Sequence, residues 1–287
     1  MRVPAEPPSG SAERPPGEAP PPGEARPPGE ARPPGGAEER LPGGFISEVV
    51  RVGDTVRRTP PANADFQAAL LAHLERAGAD LAPRYLGTDE HGRQVLGHVQ
   101  GRVPWRDRED PAYAADAALV RLAELVRRLH DVCAGTPLAG GAETVCHRDL
   151  SPKNTVYRDF PTGPLPVAFL DWDLAGPGRR IEDVAFACWH WADLGPGADP
   201  AELGRRCRLI CDAYDAAGTA PPRSPGFSTL PRGDLVDVML DQMDATWRGI
   251  AAGAERDAPG MRRLQSAGVV DLVQSWHQWL QETQPEP

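Results

Sequence analysis

Four side chains, one imidazole, two carboxylates and one amide, recur at intervals that suit phosphate chemistry. Between Cys146 and Asp183, residues His147, Asp149 and Asn154 form an HxDxxxxN pattern, and Asp171 closes a short apolar run, Val167 to Leu170. Moving the γ-phosphoryl group of ATP requires a carboxylate that orients an acceptor hydroxyl and takes its proton. It also requires oxygen ligands that hold Mg²⁺ against the phosphates. Asp149 suits the first task, and Asn154 with Asp171 the second. Mg²⁺ keeps several waters and takes only one or two carboxylates from a protein, so one Asn and one Asp beside the nucleotide suffice.

These residues need a scaffold that delivers them to one place. Thr144 to Cys146 and Thr155 to Tyr157 read as strands on either side of the HxDxxxxN loop. A turn at Pro161 to Pro164 leads into a further strand that ends at Asp171. Both expected metal ligands then leave the same end of one small sheet.

The segments HRDLSPKN and LDWD together resemble the catalytic and metal loops of the aminoglycoside phosphotransferase and choline kinase-like family, over Leu41 to about Leu280. Members of that family are small-molecule kinases with a bilobal, protein-kinase-like α+β fold. The resemblance implies a five-stranded antiparallel N-lobe at 41–101 that binds nucleotide, and a mainly helical C-lobe at 102–287 that carries the catalytic loop and the acceptor. It also implies Mg²⁺ as cofactor and ATP as co-substrate. His147 and Asp183 would brace the catalytic loop. For Lys153 two readings stand, neutralising the transferred group or facing solvent.

In the N-lobe, Gly43 and Gly44 precede an expected hairpin, Phe45 to Val52 and Thr55 to Arg58, turned at Gly53-Asp54. Glycines at that place let backbone amides approach phosphate. The third strand of the family usually supplies a phosphate-binding lysine; here the matching position falls on Arg57, with Arg58 as the alternative. Arginine's planar fork suits phosphate but is not interchangeable with lysine. The helix expected over Ala64 to Gly78 lacks an early glutamate to pair with that cation; Asp65 and Glu75 are the substitutes at hand, and both read as solvated. A second hairpin turns at Asp89-Glu90-His91-Gly92. After it, Gly97, His98 and Val99 stand where the family's hinge meets adenine.

Pro111 to Val132 shows helical spacing of Leu119, Leu122, Leu125, Val126 and Leu129, with His130 as a core or capping histidine. Ile181 to Leu194, Pro200 to Ala217, Gly233 to Gly253 and Met261 to Gln281 read as four further helices. Trp189, Trp191, Trp247, Trp276 and Trp279 fall at helical spacings and read as core.

Composition bounds the rest. The chain has 287 residues and a formal charge of -10, against the basic stripe that a nucleic-acid partner calls for. No apolar run reaches membrane-spanning length and Met1 precedes prolines and charges, so the expectation is a cytoplasmic enzyme with a small-molecule substrate and no protein partner evident. Five scattered cysteines, of which Cys207 and Cys211 are four apart with no neighbouring ligand in sequence, read as reduced and buried. Lys153 is the only lysine among 31 basic residues. Residues 1–40 hold 12 of the 33 prolines and a PPGEA repeat starting at Pro15, Pro21 and Pro27, a composition that cannot bury a core and reads as disordered. Asp234, Asp237, Asp241 and Asp244 form one acidic helical stripe, which suits either a cationic acceptor or a solvated face.

The sequence therefore points to a kinase acting on a hydroxyl of a small molecule. A nucleotide-binding pseudokinase is the alternative, favoured by the missing lysine and glutamate. A protein kinase fits less well, because LDWD replaces DFG and Ser151 replaces the usual lysine.

Overall fold

Alternating short strands make up the first part of the computed structural model, which describes residues 38–41, 49–104, 110–218 and 229–283. Gly43, Gly44 and the PPGEA repeats lie outside these residues. Strands β1 (Glu39–Arg40), β2 (Val49–Val52), β3 (Thr55–Arg58), β4 (Tyr85–Thr88) and β5 (Gln94–Gly97) form one antiparallel sheet in the order β1-β2-β3-β5-β4. Gly53 adopts φ 61° in the tight β2–β3 turn, a conformation that costs glycine little. The sheet takes in Glu39 and Arg40, so the folded chain starts ahead of Leu41.

Helix α1 (Ala64–Arg76) buries Leu70, Leu71 and Leu74 on one face, and α2 (Asp116–Cys133) buries Leu119, Leu122, Val126, Leu129 and Cys133. Intervals of three and four residues put these side chains on one stripe per helix. Both stripes join a single apolar cluster that also holds Phe169, Trp172, Ile210 and Met239. Each such side chain contributes about 1.5–3 kcal/mol by leaving water.

Four short strands carry the centre of the larger lobe. Strand β6 (Thr144–Cys146) pairs with β9 (Gly176–Gly178), and β7 (Thr155–Phe160) pairs with β8 (Gly163–Phe169). Helices α3 (Arg180–Trp191), α4 (Pro200–Ala216), α5 (Leu235–Glu255), α6 (Pro259–Ser266) and α7 (Val269–Thr283) complete it. The single helix expected over Met261 to Gln281 is thus two helices. The chain breaks at Gly268, whose φ of 75° ends the helical path. Trp189 and Trp191 are buried, and Trp247, Trp276 and Trp279 pack partly buried against the core.

The segment leaving β5 crosses β7 at Gly101. Arg102 and Tyr157 exchange backbone hydrogen bonds of 2.8 and 2.7 Å there. A Cβ on Gly101 would lie 2.4 Å from Val156 Cγ1 and 2.5 Å from the Tyr157 carbonyl, and its φ is 144°, so only glycine passes. Among the described residues no helix is long and apolar enough to cross a membrane. All five cysteines are buried, free thiols. The neighbour that sequence spacing did not offer to Cys207 and Cys211 is Cys188 of α3, which lies beside both.

Candidate active site

The HxDxxxxN loop starts where β6 ends, and its first turn is unusual backbone. Arg148 has φ 65°, a left-handed conformation that a residue with a Cβ adopts at a cost. Asp183 of α3 holds it there. Its carboxylate accepts the backbone N–H of His147 (2.7 Å) and of Arg148 (2.9 Å), and faces His130 Nε2 at 3.1 Å. Burial alone would raise the Asp183 pKa, but these hydrogen bonds outweigh it and hold the group below the ordinary carboxylate range. His130 is itself fixed by the Tyr214 hydroxyl, 2.7 Å from Nδ1. It is a core histidine, as its place at the end of α2 suggested.

The His147 ring spans two segments. Its Nδ1 accepts the Asp149 N–H at 3.2 Å, which leaves Nε2–H to donate to the Leu170 carbonyl at 3.0 Å. Phe169 and Trp172 enclose the ring, and burial keeps it neutral despite nearby carboxylates. With both nitrogens engaged by main chain, His147 ties the catalytic loop to the end of β8.

Asp149 follows, with 19% of its side chain exposed. Burial raises its pKa, opposed by the charge of Lys153, whose Nζ lies 3.4 Å from Oδ2. The Asn154 side-chain N–H donates to the Asp149 carbonyl at 3.0 Å. That commits the amide nitrogen and leaves Oδ1 as the atom that could ligate a cation. Thr155 stands opposite Phe169 in the β7–β8 ladder, and the Leu170 N–H reaches the Asn154 carbonyl at 2.7 Å. Asn154 and Asp171 therefore leave the same end of the hairpin. Asp171 has φ 60°, tolerated by aspartate better than by most residues.

Of the two candidate arginines, the structure turns Arg58, and not Arg57, toward Asp171. Arg57 turns away, donating to Thr55 Oγ1 (2.6 Å) and lying 3.7 Å from Asp89. Arg58 is the buried one, 8% exposed, with Nη1 3.2 Å from Asp171 Oδ1 and Nη2 on Asp173 Oδ2. Successive strand residues face opposite sides. Arg58 shares its face with Val56 and with the cross-strand partners Leu96 and Gln94, toward α1. Neighbouring arginines look alike in sequence; the β3–β5 register is what separates them. Nor do Asp65 or Glu75 fill the place of the absent glutamate. Asp65 is exposed and Glu75 pairs with Arg84 at the surface. The α1 residue that reaches the site is Gln67, which the sequence reading passed over because it is uncharged.

Of the hinge candidates, Gly97 N–H donates to Arg84 (2.8 Å) and His98 N–H to Asp54 (2.9 Å). Those two donors are committed to neighbouring main chain. Oxygen donors at Asn154 and Asp171, with no thiol or free imidazole beside them, fit a hard cation such as Mg²⁺. Among the described residues, one other cluster has ligand-like spacing: His130, Cys146 and Asp183. Its groups are taken up by Tyr214, by the Arg179 carbonyl (3.2 Å from Cys146 Sγ) and by the loop amides, so it serves as a brace.

A five-stranded lobe and a helical lobe meeting at this loop define a protein-kinase-like α+β fold. Residues 38–140 and 121–218 match the model of the phosphotransferase enzyme family, and the chain belongs to that family. The trifolitoxin immunity protein of Rhizobium leguminosarum bv. trifolii is 31% identical over 228 residues, covering 70% of this chain and 78% of that protein. Similar solved folds include a Plasmodium vivax ethanolamine kinase, with TM-score 0.53, 11% identity and coverage of 83% of each chain. The GDP complex of an aminoglycoside 2'-phosphotransferase gives TM-score 0.50 and 14% identity, over 82% of this chain and 93% of that one.

Proposed function

We propose that this protein transfers the γ-phosphoryl group of ATP to a hydroxyl of a small molecule, with Asp149 as the base. The observation that carries the reading is the setting of Asp149. Its N–H is held by His147 and its carbonyl by Asn154, so the backbone that carries the carboxylate is fixed on both sides. Asp149 orients the acceptor hydroxyl and takes its proton as the oxygen bonds to the γ-phosphorus and the bond to the β-phosphate oxygen breaks. Lys153, beside the carboxylate, neutralises charge on the group in transit. Arg58 contacts the phosphates, Gly43 and Gly44 cover them, and the Gly97 to Val99 segment meets the base. Asn154 and Asp171 would hold Mg²⁺, which when bound neutralises phosphate charge. The division into a nucleotide lobe and an acceptor lobe falls at Gly101, where the chain crosses β7.

For the acceptor, an amino sugar or amino alcohol is the first choice. Asp237 and Asp241 of α5 are exposed, and the whole chain is acidic, which favours cations. The name of the Rhizobium relative supports a second choice, a toxin inactivated by phosphorylation.

The test is Mg²⁺-dependent consumption of ATP and GTP by the full-length protein across amino sugars, amino alcohols, amino acids and peptide toxins, with Asp149→Asn alongside. Turnover with one acceptor class, reduced by about 10²-fold or more in the variant, is the expected result. Nucleotide binding without turnover on any acceptor, unchanged in the variant, would favour the pseudokinase instead.

A further inference from the structure

The cation on β3 has no glutamate on α1 to hold it, yet it is held. Arg58 Nη2 pairs with Asp173, and Asp173 Oδ1 accepts from Gln67 Nε2 at 3.0 Å. Gln67 Oε1 in turn accepts from Gln94 Nε2 at 2.6 Å. The direction of this chain is forced. An ionised carboxylate only accepts, so Gln67 must turn its NH₂ toward Asp173 and its carbonyl toward Gln94, which must then donate. Gln94 is also the cross-strand partner of Arg58 in the β3–β5 ladder, so the four residues close a ring. Gln67 and Gln94 are 1% and 2% exposed, and Arg58 8%, which leaves them no water to substitute for a lost member.

We propose that Asp173, braced by Gln67 and Gln94, is the positioning residue that aims Arg58 at the nucleotide phosphates, in place of an ion pair with α1. Two details fit a cation waiting for an anion. Arg58 Nε is buried without a hydrogen-bond partner. The second arm, Nη1, rests on Asp171, the carboxylate needed for the metal, at 3.2 Å. Arginine can keep one nitrogen on Asp173 while another moves from Asp171 to phosphate. Lysine, with a single nitrogen on a flexible stem, lacks the fork for both. The ring thus accounts for an arginine where a lysine is expected. Asp173 serves as its permanent counter-ion, and Asp171 is released when nucleotide and metal arrive.

This inference rests on the phosphotransferase reading, and its test separates the two. ATP affinity of the full-length protein is measured calorimetrically in Mg²⁺, with KM and kcat where an acceptor is known, for wild type, Asp173→Asn, Asp173→Glu, Gln67→Leu and the double variant Asp173→Asn/Gln67→Leu. Removing a charge-assisted partner is expected to weaken ATP binding about tenfold or more in Asp173→Asn, through KM more than kcat. Asp173→Glu, which keeps the charge, recovers part of the loss. Gln67→Leu weakens ATP binding less, and the double variant is no weaker than Asp173→Asn alone, because both lie on one path. Equal ATP affinity in wild type and Asp173→Asn overturns the relay and leaves the phosphotransferase reading intact. Additive losses in the double variant also overturn it. If wild type binds neither ATP nor GTP, both readings fall. Should Asp173→Asn not fold, Gln67→Leu still decides, since unchanged affinity there removes the brace.

Discussion

The two sides of the cleft are built by different means. On the catalytic-loop side, side chains grip main chain: Asp183 holds the amides of His147 and Arg148, His147 holds the Asp149 amide and the Leu170 carbonyl, and Asn154 holds the Asp149 carbonyl. All of these partners lie within 36 residues of one another. On the β3 side, side chains grip side chains. Arg58, Gln67, Gln94 and Asp173 come from three elements of the small lobe and one loop of the large one, across as many as 115 residues. A main-chain grip demands particular residue types at particular spacings and leaves a motif. A side-chain ring demands only complementary donors and acceptors once the fold has brought them together. The loop side accordingly keeps the expected residues, while the β3 side carries an arginine, an aspartate and two glutamines where the family resemblance implies a lysine and a glutamate.

The largest expected effect tests the loop side. Asp149→Asn should reduce kcat about 10²- to 10⁴-fold while the melting temperature holds, as measured by steady-state kinetics and thermal unfolding. A melting temperature that falls as steeply as turnover would show Asp149 to be part of the scaffold.

Next comes the brace beneath it. Asp183→Asn leaves two loop amides and His130 facing an uncharged group in a buried site, with an expected loss of about 3–5 kcal/mol in urea unfolding. The pH dependence has a definite sign. The folded-state pKa of Asp183 is depressed, so the stability it contributes is full above the ordinary carboxylate value of 3.8 and is lost as pH falls through the lower, folded value. Wild type should therefore lose stability in acid more steeply than Asp183→Asn. Parallel acid limbs would contradict this account.

Smaller is the effect at the crossing of the lobes. Gly101→Ala drives a methyl into Val156 and the Tyr157 carbonyl, with an expected cost of about 1–3 kcal/mol by chemical denaturation. The smallest effect sharpens the β3 side. Arg57→Ala should change stability by no more than about 0.5 kcal/mol and leave ATP affinity alone. Loss of ATP affinity in Arg57→Ala, with Arg58→Ala retaining it, would reverse the assignment of the two arginines.

Much of this molecule was legible before any coordinates. The HxDxxxxN pattern and LDWD named the loop, the strand patterns around them named the hairpin, and the leucine spacing of α2 named the helix beneath. Single elements were misread where the decisive signal is geometric. The helix over Met261 to Gln281 carries continuous apolar spacing, and only a left-handed Gly268 divides it. Nothing in the sequence marks Gly101, because the strand it crosses lies more than 50 residues further on.

By itself the sequence determined which residue types stand at the catalytic loop, because contacts to neighbouring main chain depend on spacing, and spacing is written in the chain. Tertiary structure alone turned Arg58, and not Arg57, toward Asp171 and Asp173, and brought Gln67 and Gln94 beside them. Which face of a strand turns inward, and what waits there, depends on register against a partner strand and on the packing of a helix, and adjacent residues of one type carry no mark of either.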